Sequence, residues 1–235
     1  MIFKRYAHEL VLPIVKNSIL RKWLDFNVLS ITKWLEKNTK NSQVKNKRVL
    51  DIGAGASDYR MYFTSAEYKT CDTDSGQIKH DFQNLEQITN QKFDIILLIE
   101  VLEHVKETDS FLGNVLSLLE KSGEIWISLP FNARYHPCPN DYYRWTIEGI
   151  QEVVMRNNLQ MLSIESRGNT LTTCAQKLLW FVYSHRFVDK FFPLSIFLSI
   201  GILPSLYIIA HLSELFCYRD EDPQGFLLRA RIKRD

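Results

Sequence analysis

The first periodic stretch of the chain is apolar at every third or fourth position. In residues 14–38, IVKNSILRKWLDFNVLSITKWLEKN, this spacing is kept by Ile14, Leu20, Leu24, Val28, Ile31 and Leu35. Such spacing places the apolar side chains on one face of an α-helix, with a basic face opposite. The polar connector NSQVKNK follows at 41–47. We therefore predict an N-terminal helical arm over residues 1–46.

From residue 48 onward, short apolar runs alternate with helical periodicity. This alternation predicts a mostly parallel sheet with helices on both faces, in which a ligand binds beyond the carboxyl ends of the strands. The predicted fold class is α/β, with a Rossmann-like sheet of seven strands, an N-terminal helix and a hydrophobic helical insertion. The predicted strands are 48–53, 68–72, 78–82, 93–100, 124–131, 159–167 and 225–233.

Three helices are predicted between these strands. A short helix covers residues 57–65, and a longer one covers 106–123, with Gly123 as its expected C-terminal cap. A third covers 146–158, and its N-cap is Thr146, because a threonine hydroxyl there accepts a backbone N–H.

A hydrophobic segment interrupts the pattern before the last strand. Residues 191–213 contain no Asp, Glu, Lys or Arg, and they are numerous enough for a membrane span of ~20 residues. Pro193, Gly201 and Pro204 argue against one continuous span. Two short helices are predicted instead, as a buried lid, a peripheral membrane contact or a homodimer contact. The predicted domains are 1–46, a core of 47–170 with 223–235, and the insertion 171–222.

Composition places the chain among folded globular proteins, with 46% hydrophobic and 24% charged residues. Residues 1–48 carry eleven Lys or Arg against three Asp or Glu, so this region favours an anionic surface or is a solvated basic face. The four cysteines form no CxxC pair, and no secretory signal opens the chain. We therefore expect no metal site and a cytoplasmic location, with the inner membrane surface as an alternative.

The most informative motif is RVLDIGAGASDYR, residues 48–60, in which a strand runs into Gly53 and Gly55. Glycines allow a positive φ and a close approach of the backbone to a nucleotide. A dinucleotide-binding turn requires G-x-G-x-x-G, but Asp58 stands where the third glycine would be. Asp51 would repel a pyrophosphate, whereas the ammonium and sulfonium of S-adenosylmethionine favour a carboxylate. Asp72, or alternatively Asp74, ends the second strand, where an acid accepts hydrogen bonds from a ribose.

The runs VLDIGAGAS, CDTD, KHDF and FDIILLIEVLEHV resemble class I S-adenosylmethionine-dependent methyltransferases. They are most similar to the branch of ubiquinone-pathway and glycan-cluster methyltransferases, over residues 47–167 and the last strand. The resemblance implies that the cofactor is held at seven positions, namely by Asp51, Gly53 and Gly55 at the methionine half, Asp72 at the ribose, Asp81 and Phe82 at the adenine, and Glu100 near the methionine end. The alternative is that these are ordinary strand-end, turn and loop residues that do not contact the cofactor. In the same way, Glu103 and His104 would stand in the first turn of a helix without contacting a ligand.

The loop NARYHPCPNDYYRWT, residues 132–146, follows the fifth strand at the predicted ligand edge. It also resembles a run in methyltransferases of sugar and polysaccharide pathways. His136 is the candidate general base for a hydroxyl, and Asp141 would orient it or bind the acceptor. Arg144 would hold a phosphate or carboxylate through a bidentate contact. Alternatively, Asp141 and Arg144 form a structural pair and His136 caps a turn.

These features predict methyl transfer from S-adenosylmethionine to an oxygen. No Asn/Asp-Pro-Pro-Phe/Tyr run follows the fourth strand, which counts against methylation of an exocyclic amine. The expected acceptor is a sugar, a glycan-lipid or a quinone-like molecule, small or lipid-linked, and nucleic acid is not an expected partner. Two rivals stay open, namely an NAD-dependent oxidoreductase and a non-catalytic member of the fold that only binds the cofactor.

Overall fold

The fold is described from a computed structural model of the chain. The structure describes residues 25–41, 44–55, 59–64, 66–72, 78–79, 91–182, 190–214 and 222–233. Some predictions concern residues outside these ranges, including the first part of the predicted helix 14–38 and the pair Asp81 and Phe82.

Seven strands form one sheet in the described part of the chain, and they are β1 (Arg48–Ile52), β2 (Glu67–Asp72), β3 (Ile78–Lys79), β4 (Phe93–Ile99), β5 (Leu119–Pro130), β6 (Leu159–Arg167) and β7 (Gly225–Ile232). Their order in the sheet is β3-β2-β1-β4-β5-β7-β6. Parallel pairing joins β1 to β2 and to β4, β2 to β3, and β4 to β5, whereas β7 pairs antiparallel with β5. The predicted Rossmann-like α/β fold with a mostly parallel sheet is confirmed.

Strand β1 lies at the point where the strand order reverses, with β2 on one side and β4 on the other. The register places Ile52 beside Cys71 of β2 and beside Leu98 of β4. Because these strands are parallel, β1, β2, β4 and β5 all end at the same edge. Ligands bind at such a switch point in open α/β sheets, so this edge is where the candidate residues should meet.

Six α-helices stand in the described part of the chain. A π-helical turn, Leu198–Ile202, joins the last two, and single 3₁₀ turns cover Arg60–Tyr62 and Leu102–His104. The helices are α1 (Phe26–Asn41), α2 (Thr108–Ser117), α3 (Ile147–Arg156), α4 (Thr170–Val182), α5 (Phe192–Phe197) and α6 (Leu203–Ser213).

The predicted helix over 106–123 is wrong in its last third. Helix α2 ends at Ser117, and the chain enters β5 at Leu119, which pairs with Phe93 of β4. Gly123 therefore lies inside a strand instead of capping a helix. A Cβ at Gly123 would lie 3.0 Å from the carbonyl oxygen of Asp94, so the glycine is needed for a close approach of two backbones.

Helix α3 begins as predicted. The Thr146 side chain accepts a hydrogen bond from the backbone N–H of Gly149 at 3.1 Å, which satisfies one of the unpaired donors of the first turn. By contrast, the predicted short helix at 57–65 is represented, in the described part, only by the 3₁₀ turn Arg60–Tyr62.

Alternate residues of the central strands build two cores, one on each face of the sheet. Ile125 and Ile127 of β5 belong to a large buried cluster with Phe111 of α2 and Ile150 of α3. Trp126 lies between them in sequence and faces the other way, because side chains alternate along a strand. There it packs against α1 through Trp34, with ring centroids 5.6 Å apart.

Contacts divide the chain into two compact units. One contains residues 33–165 and 225–235, and the other contains 1–32 and 166–224. The sheet, apart from the last two residues of β6, and every described candidate site residue belong to the first unit. The predicted boundaries at residues 46, 170 and 222 stay a prediction.

The second unit has a small core of its own. Phe26, Ala175, Tyr207 and Ala210 are buried together, and the rings of Phe26 and Tyr207 stack at 5.0 Å. Several apolar side chains of this unit are exposed instead, including Phe181, Phe197, Ile208, Ile209 and Leu212. Within the described residues, no helix has both the length and the apolar character needed to cross a membrane.

Candidate active site

The turn after β1 has the backbone that its glycines predict. Gly53 has φ +72° and Gly55 has φ +53°, a region that residues with a side chain rarely adopt. The Gly53 N–H donates to the Cys71 carbonyl at 2.8 Å and so fixes the turn to β2. A Cβ at Gly53 would lie 2.7 Å from Cγ2 of Val101, whereas one at Gly55 would meet no described atom within 4 Å.

Asp72 ends β2 beside this turn. Its Oδ2 accepts a hydrogen bond from the Gly55 N–H at 2.7 Å, and its side chain is half-buried. The carboxylate therefore orders the glycine turn. It also stands at the strand end where a ribose-binding acid is predicted.

Asp51 is enclosed in the sheet edge. It is only 1% exposed, and its Oδ2 accepts a hydrogen bond from the Tyr68 hydroxyl at 2.6 Å. This contact ties β1 to β2 through side chains. The predicted contact of Asp51 with the methionine half of the cofactor stays a prediction.

Glu100 follows β4 with a strained backbone, at φ +56°. Its Oε1 accepts from the Ser128 hydroxyl at 2.7 Å, and its N–H donates to the Ser128 carbonyl at 3.2 Å. Two contacts to β5 therefore hold this carboxylate at the edge of the sheet.

The loop after β5 is held together by Arg144. Its five N–H groups all donate, two of them to the Asp141 carboxylate at 2.5 and 2.7 Å, and the others to the carbonyls of Ala133, Arg134 and Tyr143. No donor is left for a substrate, so the geometry favours the alternative of a structural pair. The Arg144 guanidinium also holds the pKa of Asp141 far below its usual range.

His136 is oriented by the same pair. Its backbone N–H donates to Asp141 at 2.8 Å, and its Nδ1 lies 2.8 Å from the Arg134 carbonyl. Its Nε2 lies 3.6 Å from Oε1 of Glu103, and the side chain is 33% exposed. The contact with Glu103 is the main reason why the pKa of His136 is raised.

Two neighbouring residues complete this cluster and were not among the predicted site residues. Glu103 is fully buried, and neither of its carboxylate oxygens makes a hydrogen bond to any described residue. Burial, followed by the nearby charge of Glu100, raises its pKa. Nε2 of His104 lies 3.7 Å from Oε1 of Glu103. We name Glu103, His104 and His136 the Glu–His–His cluster.

The positions of these three residues in the sequence contained a signal for the cluster. Glu103 and His104 stand in the turn that follows β4, and His136 stands in the loop that follows β5. These two strands are adjacent and parallel. Residues that follow adjacent parallel strands meet at one edge. The sequence alone did not show that β4 and β5 are neighbours in the sheet, and this pairing was needed to predict the cluster.

A groove of about 510 Å³ lies elsewhere in the same unit, lined in part by Glu36, Lys40, Lys45, Met61 and Tyr62. None of the predicted site residues lines it. The carboxyl edge of the sheet, where the acids and histidines converge, is the better candidate on chemical grounds.

Comparison with known proteins identifies the family to which this chain belongs. The profile of the family described as "Methyltransferase domain" matches residues 26–173, which is more than half of the chain, so the chain belongs to this family. No curated protein matches the sequence significantly.

Solved structures share the fold at low sequence identity. The 1,6-didemethyltoxoflavin-N1-methyltransferase of Burkholderia thailandensis, with S-adenosylhomocysteine bound, is 11% identical with a TM-score of 0.55, over 86% of this chain and 78% of that one. An O-methyltransferase from a Brevibacillus brevis trans-AT PKS multienzyme, also with S-adenosylhomocysteine, is 13% identical with a TM-score of 0.53, over 86% and 72%. The cyclase SpnF is 14% identical with a TM-score of 0.54, over 87% and 80%.

The prediction of an S-adenosylmethionine-dependent methyltransferase is thereby confirmed. The residues present fit this cofactor. Gly55 leaves open space where a side chain would stand, Gly53 brings the backbone close to Val101, and Asp72 and Glu100 place carboxylates at the same edge. A cationic ligand without phosphate suits such an acidic edge.

Proposed function

We propose that this methyltransferase methylates a hydroxyl oxygen of a sugar, a glycan-lipid or a quinone-like acceptor. The observation that carries the proposal is the contact between the part-exposed imidazole of His136 and the buried carboxylate of Glu103. A polar, partly open cluster of this kind suits an acceptor that carries an O–H group. It stands just past the ends of β4 and β5, on the same edge as the glycine turn.

The cofactor side of the site consists of the glycine turn and the acids around it. Gly53 and Gly55 would let the backbone approach the methionine half, Asp72 would accept hydrogen bonds from the ribose hydroxyls, and Glu100 would lie near the methionine end. Asp51 supports the turn through Tyr68. The proposed adenine contacts of Asp81 and Phe82 lie outside the described residues.

The acceptor side consists of His136 and the loop that holds it. His136 is the group that we place against the acceptor hydroxyl. Asp141 and Arg144 act as positioning residues, because the bidentate pair fixes both the loop carbonyls and the His136 backbone. S-adenosylmethionine supplies an activated methyl group, so the chain contributes mainly by orienting the acceptor and excluding water.

A lipid-linked acceptor is supported by the second unit. Ile208 and Ile209 of α6 are 53% and 52% exposed, and Phe197 is 62% exposed. Such apolar exposure on short helices suits contact with a lipid interface. The basic N-terminal residues would add attraction to anionic lipid.

The cofactor half of the proposal is tested by calorimetric titration with S-adenosylhomocysteine, with NADH in parallel. We expect micromolar binding of the former only. Asp72→Ala should weaken it by about 1–3 kcal/mol, the cost of leaving polar partners unpaired. Asp72→Asn is the matched control, because an amide oxygen can still accept from Gly55. Binding of NADH alone, or of neither ligand, would contradict the proposal.

The acceptor half is tested by incubating the enzyme with methyl-labelled S-adenosylmethionine and separated lipid and polar extracts. The labelled product is then assigned by NMR, since O-methyl and N-methyl carbons resonate apart. His136→Ala should reduce transfer and leave S-adenosylhomocysteine binding unchanged. Label on nitrogen would contradict an oxygen acceptor, and binding without transfer to any fraction would support the non-catalytic rival.

A further inference from the structure

We propose that Glu103, His104 and His136 bind a divalent cation of the zinc type, and that this cation holds the acceptor hydroxyl. Cation binding stands on the geometry of the Glu–His–His cluster alone. The role toward the acceptor deepens the proposed function and rests on it.

The spacing of the three side chains suits one ion between them. Oε1 of Glu103 lies 3.7 Å from Nε2 of His104 and 3.6 Å from Nε2 of His136. One ligand atom from each residue lies within 4.8 Å of the other two. A tetrahedral ion with bonds of about 2.0–2.2 Å separates its ligand atoms by about 3.4 Å. The two measured distances are therefore too long for hydrogen bonds but close to a ligand spacing.

Both imidazoles are held in the tautomer that a metal requires. Nδ1 of His104 lies 2.5 Å from the Asn140 carbonyl, and Nδ1 of His136 lies 2.8 Å from the Arg134 carbonyl. A carbonyl only accepts, so each Nδ1 carries the hydrogen and each neutral ring has its lone pair on Nε2. Metal-binding histidines are oriented by this same kind of outer contact.

The buried carboxylate of Glu103 forms no ion pair with a lysine or arginine of the described residues, and only two imidazoles lie near it. It is 0% exposed and makes no hydrogen bond among the described residues. Arg144 of the loop already pairs with Asp141 through both terminal nitrogens. Glu100 adds a second negative charge nearby. A dication would compensate these charges, and buried carboxylates normally are paired or bind metals.

The three ligands stand on a well-braced frame. The Glu103 carbonyl accepts from the backbone N–H of Tyr142 at 2.7 Å, which joins the turn after β4 to the loop after β5. Two imidazoles and one carboxylate favour zinc over magnesium, and they leave one position open. The 33% exposure of the His136 side chain indicates on which side that position opens.

An acceptor hydroxyl in the open position would be acidified by the cation, as bound water is at zinc sites. Its O–H proton leaves to solvent. The oxygen then forms a bond to the methyl carbon while the carbon–sulfur bond breaks, and sulfur keeps the electron pair as S-adenosylhomocysteine departs. Nothing is oxidised or reduced.

The proposal is tested on the full-length chain after dialysis against a chelator. Zn²⁺ is titrated by calorimetry, and Co²⁺ is titrated by visible absorption, which reports four-coordinate imidazole ligation. We expect one ion per chain. His104→Ala and His136→Ala should each weaken Zn²⁺ binding by about 100-fold or more, since losing merely an outer partner of a ligand costs about 10–100-fold. His211→Ala is the matched control and should leave the affinity unchanged.

Absence of saturable Zn²⁺ binding, or equal affinity in the parent and both histidine variants, would overturn the proposal. Glu103→Gln adds a variant of nearly the same shape and should also lose binding. S-adenosylhomocysteine binding to the chelated protein is measured alongside. If that binding fails while Zn²⁺ binds, only the proposed function fails. Transfer activity that is equal before and after chelation would leave His136 as a general base and overturn the role of the cation.

Discussion

Substituting the two glycines of the turn after β1 separates strain from steric crowding. Both have a positive φ, which costs an alanine about 1–2 kcal/mol at either position. Only at Gly53 would the new Cβ also collide with protein, at 2.7 Å from Cγ2 of Val101. Overpacking of a closed site costs about 1–3 kcal/mol more. We therefore expect Gly53→Ala to lower the free energy of unfolding by about 2–5 kcal/mol, and Gly55→Ala by about 1–2 kcal/mol.

The assay is urea unfolding of both variants, followed by fluorescence and by circular dichroism to verify a single transition. The restriction of the unfolded chain by an alanine is common to both variants, so it cancels in their difference. For a chain of this size, each kcal/mol also lowers Tm by about 2–4 °C. Equal destabilisation of the two variants would refute the steric part of the reasoning.

Ligand binding should show the opposite order. Gly55→Ala places its Cβ in open space at the proposed cofactor side, so this variant should stay folded and lose affinity for S-adenosylhomocysteine. The double variant Gly53→Ala, Val101→Ala should lose less stability than the sum of the single changes, because the clash is removed. Full additivity would show that Val101 is not the obstacle.

Three further predictions concern the rest of the chain. Thr146→Ala should cost about 1 kcal/mol of stability through loss of the N-cap of α3, and Thr146→Ser should recover most of it in urea unfolding. Burial, with a smaller contribution from a neighbouring aspartate, raises the pKa of Cys71 to about 12, so iodoacetamide at mildly alkaline pH should label exposed Cys138 and spare Cys71 until the protein is unfolded, as read by mass spectrometry. Replacing exposed Ile208 and Ile209 by Glu should change stability by less than about 0.5 kcal/mol yet reduce sedimentation with anionic vesicles; unchanged sedimentation would contradict the lipid contact.

Local chemistry decided the parts of the fold that the pattern predicted. The apolar runs at β1 and β4, the boundaries of β6, and the Thr146 cap follow from residues that lie next to one another in sequence. Neighbouring residues did not predict that the chain changes from helix to strand after Ser117. Residues 119–123 are helix-compatible by themselves, but Leu119 and Glu124 pair with Phe93 and Ile95 of β4, and this pairing overrides the local preference.

The sequence by itself therefore determined the class of protein. The glycine turn with Asp51, the acid at Asp72 and the alternation of strands and helices are short-range features. Together with the resemblance of four short runs to class I methyltransferases, they predicted an α/β methyltransferase. Only the tertiary structure brought together the residues of the proposed acceptor side. The five N–H groups of Arg144 are used within the loop, and Glu103 lies within 4 Å of both its neighbour His104 and His136, which is about thirty residues away in the chain. Such a cluster depends on which strands are adjacent, and the pairing of strands is a long-range property that local patterns do not contain.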